Sequence, residues 1–139
     1  MQTIGIIGSR RRNSPDDYKM LFKVFEKIYQ PMDEIVSGGC YTGGDQFAEV
    51  IARHRQIPIK IYYAEWTKLG KKAGHTRNTY IARDCTILIA LVAPDRTGGA
   101  EDTIRKAIEM NKKIILIHTD RVEVLDNKKE SDVLEMFKN

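Results

Sequence analysis

The stretch Glu34-Ile35-Val36-Ser37-Gly38-Gly39-Cys40-Tyr41-Thr42-Gly43-Gly44-Asp45 runs on into Phe47-Ala48-Glu49-Val50-Ile51-Ala52. Its apolar beginning reads as a strand and its end as a helix, with two glycine pairs between. A strand, a glycine turn and a helix in that order let backbone N–H groups converge on an anion. Glycine removes the side chains that would block close approach.

The same alternation extends outward in both directions. Upstream, Thr3 to Ile7 is a buried strand broken by Gly8-Ser9-Arg10. Pro15 opens a helix with Leu21, Phe22, Val24, Phe25 and Ile28 at helical spacing, and Ser14 is placed to cap it. Downstream, a helix over 45–55 leads through Pro58 into a strand, Ile59 to Tyr62. A loop follows from Glu65 to Gly74, then a short helix from Thr76 to Asp84. Thr86 to Val92 is the clearest buried strand, Ala100 to Met110 a helix, and Lys113 to His118 a fifth strand. Val122 to Leu125 reads as a short extended piece. Ser131 is placed to cap a last helix carrying Val133, Leu134 and Phe137.

Alternating strands and helices with continuously apolar strands predict an α/β, Rossmann-like three-layer sandwich. Its five-stranded parallel sheet takes the order 3-2-1-4-5. The chain reads as one domain over 1–139, with a core at 3–117 and a C-terminal extension at 121–139. Strands one and four become neighbours where the winding reverses, and ligands bind outside the carboxyl ends of strands at such a point. The glycine turns after strands one, two and four all fall at that edge.

Composition narrows the classes. The chain has 139 residues, 42% apolar and 30% charged, as soluble globular domains do. No apolar run approaches the ~20 residues of a membrane span. The first residues lack a basic region followed by an apolar one, so no signal peptide is expected and a cytoplasmic location is. Cys40 and Cys85 form no Cys-x-x-Cys unit, which points away from zinc and from a disulfide framework. Cys85 reads as a core residue. No metal or cofactor is implied. A net charge of +4 favours anionic ligands without choosing among them.

Four constellations could carry chemistry. Gly8, Ser9 and Arg10 offer amides, a hydroxyl and a guanidinium fork at the end of the central strand, with Arg11 and Arg12 pointing into solvent. In the opening stretch Ser37, Gly38, Gly39, Tyr41, Gly43 and Gly44 lead to Asp45, which either caps the second helix or accepts hydrogen bonds from a ribose diol. The segment from Glu65 through Trp66 and Lys71 to His75, Arg77 and Asn78 offers an aromatic ring and several cations. Trp66 either stacks on a base or packs the loop down, and Arg77 and Asn78 stand at a helix start. None of His54, His75 and His118 has a metal-spaced partner. Gly98, Gly99 and Thr103 form the last turn. Its Glu101 and Asp102 either suit a helix N-terminus or, with Asp45 and Glu65, are candidate carboxylates for glycosidic chemistry.

In order and spacing these four stretches together resemble the SLOG superfamily, over roughly residues 3 to 117. That group is Rossmann-like. It includes Lonely-guy phosphoribohydrolases, DNA-processing protein A and nucleotide-sensing modules of bacterial defence systems, and the most similar branch holds small single-domain bacterial and phage proteins. The resemblance implies a nucleotide site, often near a subunit contact, so a homodimer or larger homo-oligomer is expected. One departure matters. Lonely-guy enzymes carry Pro-Gly-Gly-x-Gly-Thr-x-x-Glu with a catalytic glutamate, and with Gly98-Gly99 on the glycine pair Arg105 falls at the glutamate. Arg77 matches an arginine that helps to bind the nucleotide.

The expected function is therefore binding of a nucleoside phosphate, an ADP-ribose-like compound or a cyclic signal, for sensing or sequestration. Arg10, Lys71 and Arg77 would hold phosphate, Asp45 ribose, and Trp66 or Tyr41 the base. Cleavage of an N-glycosidic bond in a nucleoside monophosphate is the alternative. DNA binding ranks last, because no dense Lys/Arg stripe with interleaved aromatics is present.

Overall fold

The computed structural model describes residues 1–126. The helix expected after Ser131 and the side chain of Lys71 lie outside the described residues. The strands are β1 (Thr3–Gly8), β2 (Glu34–Gly38), β3 (Ile59–Tyr62), β4 (Ile87–Leu91), β5 (Lys113–Ile117) and β6 (Val122–Leu125). Helices α1 (Pro15–Ile28), α2 (Gly44–Arg55), α3 (Trp66–Leu69), α4 (Ala73–Asp84) and α5 (Ala100–Glu109) alternate with them.

The sheet has the order β3-β2-β1-β4-β5-β6. The first five strands are parallel in the expected order, but the sheet is mixed and six-stranded, because β6 pairs antiparallel with β5. A short turn makes this possible: the His118 N–H donates to Arg121 O at 2.9 Å, which folds the chain straight back. An antiparallel neighbour needs no crossover helix, so four residues suffice. β6 buries Val124 and covers what would have been the open edge of β5.

Period-two alternation divides the strand residues between two cores. Ile4, Ile6, Ile35, Ile89, Ile115 and Ile117 pack on one face against Leu21, Phe25, Phe47 and Ile51 of α1 and α2. Ile7, Val36, Leu88, Ala90, Ile114 and Leu116 pack on the other against Ile81, Ile104 and Ala107 of α4 and α5. α1 starts as expected, in a capping box: Ser14 accepts from the Asp17 N–H and Asp17 accepts from the Ser14 N–H.

The expected loop over 65–74 is largely helical instead. α3 and a 3-10 turn at Gly70–Lys72 lead directly into α4, which begins three residues before Thr76. Gly70, at φ 60°, permits the corner between them. Among the described residues no helix is long and apolar enough to cross a membrane.

Candidate functional site

A cleft of about 330 Å³ opens at the carboxyl ends of β1 and β4. Gly8, Ser9, Arg10, Asp45, Arg77, Asn78, Gly98, Gly99 and Thr103 all line it, so residues from four separate parts of the chain meet there. Arg11, Cys40 and Thr97 line it too and were not expected to. Arg10 is exposed and has no ion-pair partner among the described residues. Arg11 is exposed, as expected, but is engaged by Asp95 and Thr97, to which its Nη2 donates at 2.7 and 2.8 Å. That contact pulls the Asp95 carboxyl well below the usual carboxylate range.

The three adjacent arginines thus divide. Arg12 does not point into solvent but is buried. Its Nη1 donates to Val92 O and Ile117 O, and its Nε to Asp17. It ties the ends of β4 and β5 to the start of α1.

Asp45 is buried at the side of the cleft, 7% exposed. It is the only carboxylate among the lining residues. It does not cap α2: the N-cap is Gly43, which makes no side-chain cap bond. Instead the Cys40 N–H donates to Asp45 Oδ2 at 3.2 Å, and the Ser37 hydroxyl lies 3.3 Å from Oδ1. A Cβ built on Gly38 would stand 2.6 Å from Asp45 Oδ2 and 2.7 Å from Arg77 Nη1. The bare backbone of Gly38 is what admits both charges.

Burial pushes the Asp45 carboxyl up to about 6, against the pull of Arg77, the Cys40 N–H and Ser37. Below its ordinary 3.8 both folded and unfolded chains carry the proton, and ionisation costs nothing. Between 3.8 and about 6 only the unfolded chain ionises, so stability falls as pH rises, and above that it levels off. At about 1.4 kcal/mol per pH unit the loss is on the order of 3 kcal/mol. Asp45→Asn should abolish this component. Urea denaturation at pH 4 and 7.5 should show the variant gaining on the wild type by that order, and a pH-independent difference would contradict it.

Arg77 is positioned by a polar relay. Its Nε donates to Asn78 Oδ1 at 2.9 Å, and Asn78 Nδ2 donates to Asp102 Oδ2 at 3.1 Å. Asp102 also accepts from Lys106 at 2.9 Å, from His75 and from Arg105. Burial pushes the Asp102 carboxyl up, but its hydrogen bonds from Lys106, Asn78 and His75 outweigh this and hold it at about 2. Asp102 is therefore a holder of Asn78 and lies outside the cleft lining. Glu101 is occupied by a two-pronged contact with Arg96.

Other expected residues stand elsewhere. Ser37 is fully buried, with its hydroxyl donating to Ile6 O. Gly43 and Gly44 pack on the chain at Ser9 and Ile7, and the Gly43 N–H donates to Asn13 Oδ1. Tyr41 is 84% exposed and does not line the cleft. Trp66 is exposed and outside the cleft lining, with its ring 3.3 Å from where a Gly74 Cβ would be. Glu65 lines a second cavity.

At the mouth of α5, the N–H groups of Glu101 and Asp102 bond back to Gly98 O and Gly99 O. Those of Gly99 and Ala100 have no acceptor among the described residues. A helix start with open N–H groups favours negative charge. Together with three arginines and one carboxylate, it makes the cleft suited to an anion that also carries hydroxyl groups. Comparison with protein-family models, curated proteins and solved structures gives no match.

Proposed function

We propose that the chain binds a nucleotide-derived small molecule in this cleft. One observation carries the reading: Arg10, Arg77 and the open N-terminal turn of α5 face one space beside a buried carboxylate. Phosphate lies with Arg10 and the Gly98-Gly99 turn, away from Asp45, the one carboxylate that lines the cleft. A ribose diol lies with Asp45, which accepts its hydrogen bonds. The likeness of the motif set to the SLOG superfamily points the same way. Arg105 pairs with Asp102 and Glu109 on the outside of α5 and offers no catalytic carboxylate. Micromolar affinity needs about 8 kcal/mol net, within reach of a few charge-assisted hydrogen bonds.

A thermal-shift panel of ribose 5-phosphate, nucleoside mono- and diphosphates, ADP-ribose and cyclic dinucleotides tests the reading. A ligand at a hundred times its Kd stabilises by about 2.7 kcal/mol, a shift of several degrees. Arg77→Ala should weaken the best ligand about tenfold or more, as expected for loss of a hydrogen bond to a charged group. Absence of stabilisation by every compound at millimolar concentration would refute binding.

The buried Asp45 favours a second reading, hydrolysis of an N-glycosidic bond. A carboxyl pushed to about 6 keeps enough proton near neutrality to protonate a leaving base while water adds at the anomeric carbon. Chromatography for free base after incubation with nucleoside monophosphates decides it; intact substrate sinks this reading and leaves binding standing.

A further inference from the structure

A second cavity of about 350 Å³ lies beside the first, and Arg77 lines both. Its wall is aromatic, formed by Tyr62, Tyr63 and Tyr80 with Leu69. Two of these rings are already engaged. Tyr62 and Tyr80 stand 5.3 Å apart, centroid to centroid. Lys60 lies 5.3 Å over Tyr62, and Arg83 lies 4.9 Å over Tyr80. The Tyr62 hydroxyl contacts Asp84.

Tyr63 differs. It is 64% exposed, and its ring has no aromatic or cationic partner among the described residues. It is nevertheless held in place, because a Cβ on Gly39 would fall 2.1 Å from ring Cδ1. The ring is seated against bare backbone at Gly39, and the Arg77 guanidinium against bare backbone at Gly38. Two consecutive glycines bring an unoccupied aromatic surface and a cation to the same point of the chain. A molecule with an anion in the first cleft has its next contact surface there.

We infer that the Tyr63 cavity receives the nucleobase of the ligand whose phosphate lies in the Arg10–Arg77 cleft, with Tyr63 as the stacking surface. This rests on the nucleotide-binding reading and adds a site for the base to it. Every base presents a π-face, so the stack supplies affinity while leaving the choice among bases to other contacts. Cavities that hold small molecules begin at about 300 Å³, which this one meets.

The test is calorimetric titration of the full chain with ribose 5-phosphate and with the four ribonucleoside monophosphates. Wild type should bind at least one monophosphate about tenfold or more tightly than ribose 5-phosphate, the scale of one base–aromatic stack. Tyr63→Ala should erase that preference and leave ribose 5-phosphate affinity unchanged, which also shows that the variant is folded. Tyr63→Phe should retain the preference. Equal affinity of base-bearing and base-free ligands, or a Tyr63→Ala effect on both alike, overturns the assignment while the cleft reading survives. A Tyr63→Ala change in oligomeric state with the base preference intact would assign the ring to a subunit contact and likewise overturn it. If neither ligand class binds, the base assignment is overturned, and the cleft reading falls with it when the wider nucleotide panel also fails to stabilise the chain.

Discussion

Gly44→Ala is expected to lose about 3 kcal/mol or more of unfolding free energy, at or above the upper end of what overpacking costs. The added Cβ would stand 2.3 Å from Ile7 C and 2.4 Å from both Gly8 N and Ile7 O. All three are backbone atoms, so no rotamer change relieves the clash. β1 cannot retreat, because it is paired with β2 on one side and β4 on the other. α2 must lift instead, and Phe47, Ala48 and Ile51 would leave the core with it. Set against a typical total of 5–15 kcal/mol, that is a large fraction. Gly99→Ala is the matched control. Nothing lies within 4 Å of its Cβ, and its φ of −66° suits any residue, so it should stay within about 1 kcal/mol of wild type. Urea denaturation compares the two; a Gly44→Ala protein as stable as the control would refute the close approach. The contact also bears on the site. Asp45 follows Gly44 directly, so the seat of α2 on β1 sets how deep that carboxylate lies.

The parts of the fold readable from sequence were those with a local cause. Ile4 and Ile6 fall in one core and Ile7 in the other, as alternation along a strand requires. Ser14, Pro15 and Asp17 mark the start of α1 within four residues. β6 was visible as an extended piece, but its pairing was not. Val122–Leu125 is only four residues long, and nothing local says which strand it joins; only the turn after His118 brings it to β5. The site divides in the same manner. Turns at strand ends converge because topology makes them, so Gly8 and Gly98 could be placed together, whereas Arg77 lies within α4 and was singled out by its place near a helix start and by the resemblance. Asp102 and Glu101 could not be excluded from sequence, since their partners Lys106, His75 and Arg96 are ordinary surface residues in the linear chain. Trp66 drew notice as the only tryptophan, yet it packs near Gly74, while Tyr63 carried no signal until Gly39 was seen beneath it.

Arg12→Met should be comparably damaging, costing about 3–5 kcal/mol, as expected when one partner is removed from a buried ion pair. Arg12 is 3% exposed, and its guanidinium donates at 2.7 Å to Ile117 O, 2.8 Å to Val92 O and 2.6 Å to Asp17 Oδ1. The methionine fills much of the volume but leaves two buried carbonyls and a carboxylate without this donor. Arg12→Lys should recover only part of the loss, because one ammonium cannot reproduce the planar fork that reaches all three acceptors. Acid titration separates this from a simple packing defect. Burial pushes the Asp17 carboxyl up, but its hydrogen bonds from Arg12 and Ser14 prevail and hold it below the usual range. A depressed carboxylate stabilises above its ordinary value of 3.8 and loses that contribution as pH falls through its folded value. Removing Arg12 takes away the chief cause of the depression, so the Arg12→Met protein should lose less stability than wild type as pH drops from 5 toward 2. A variant within about 1 kcal/mol of wild type at pH 7, or one with an unchanged acid slope, would show that the buried guanidinium does not fasten β4, β5 and α1 together. That fastening matters to the cleft because Arg10 stands two residues before Arg12: the anchored arginine fixes the backbone from which Arg10 lines the cleft.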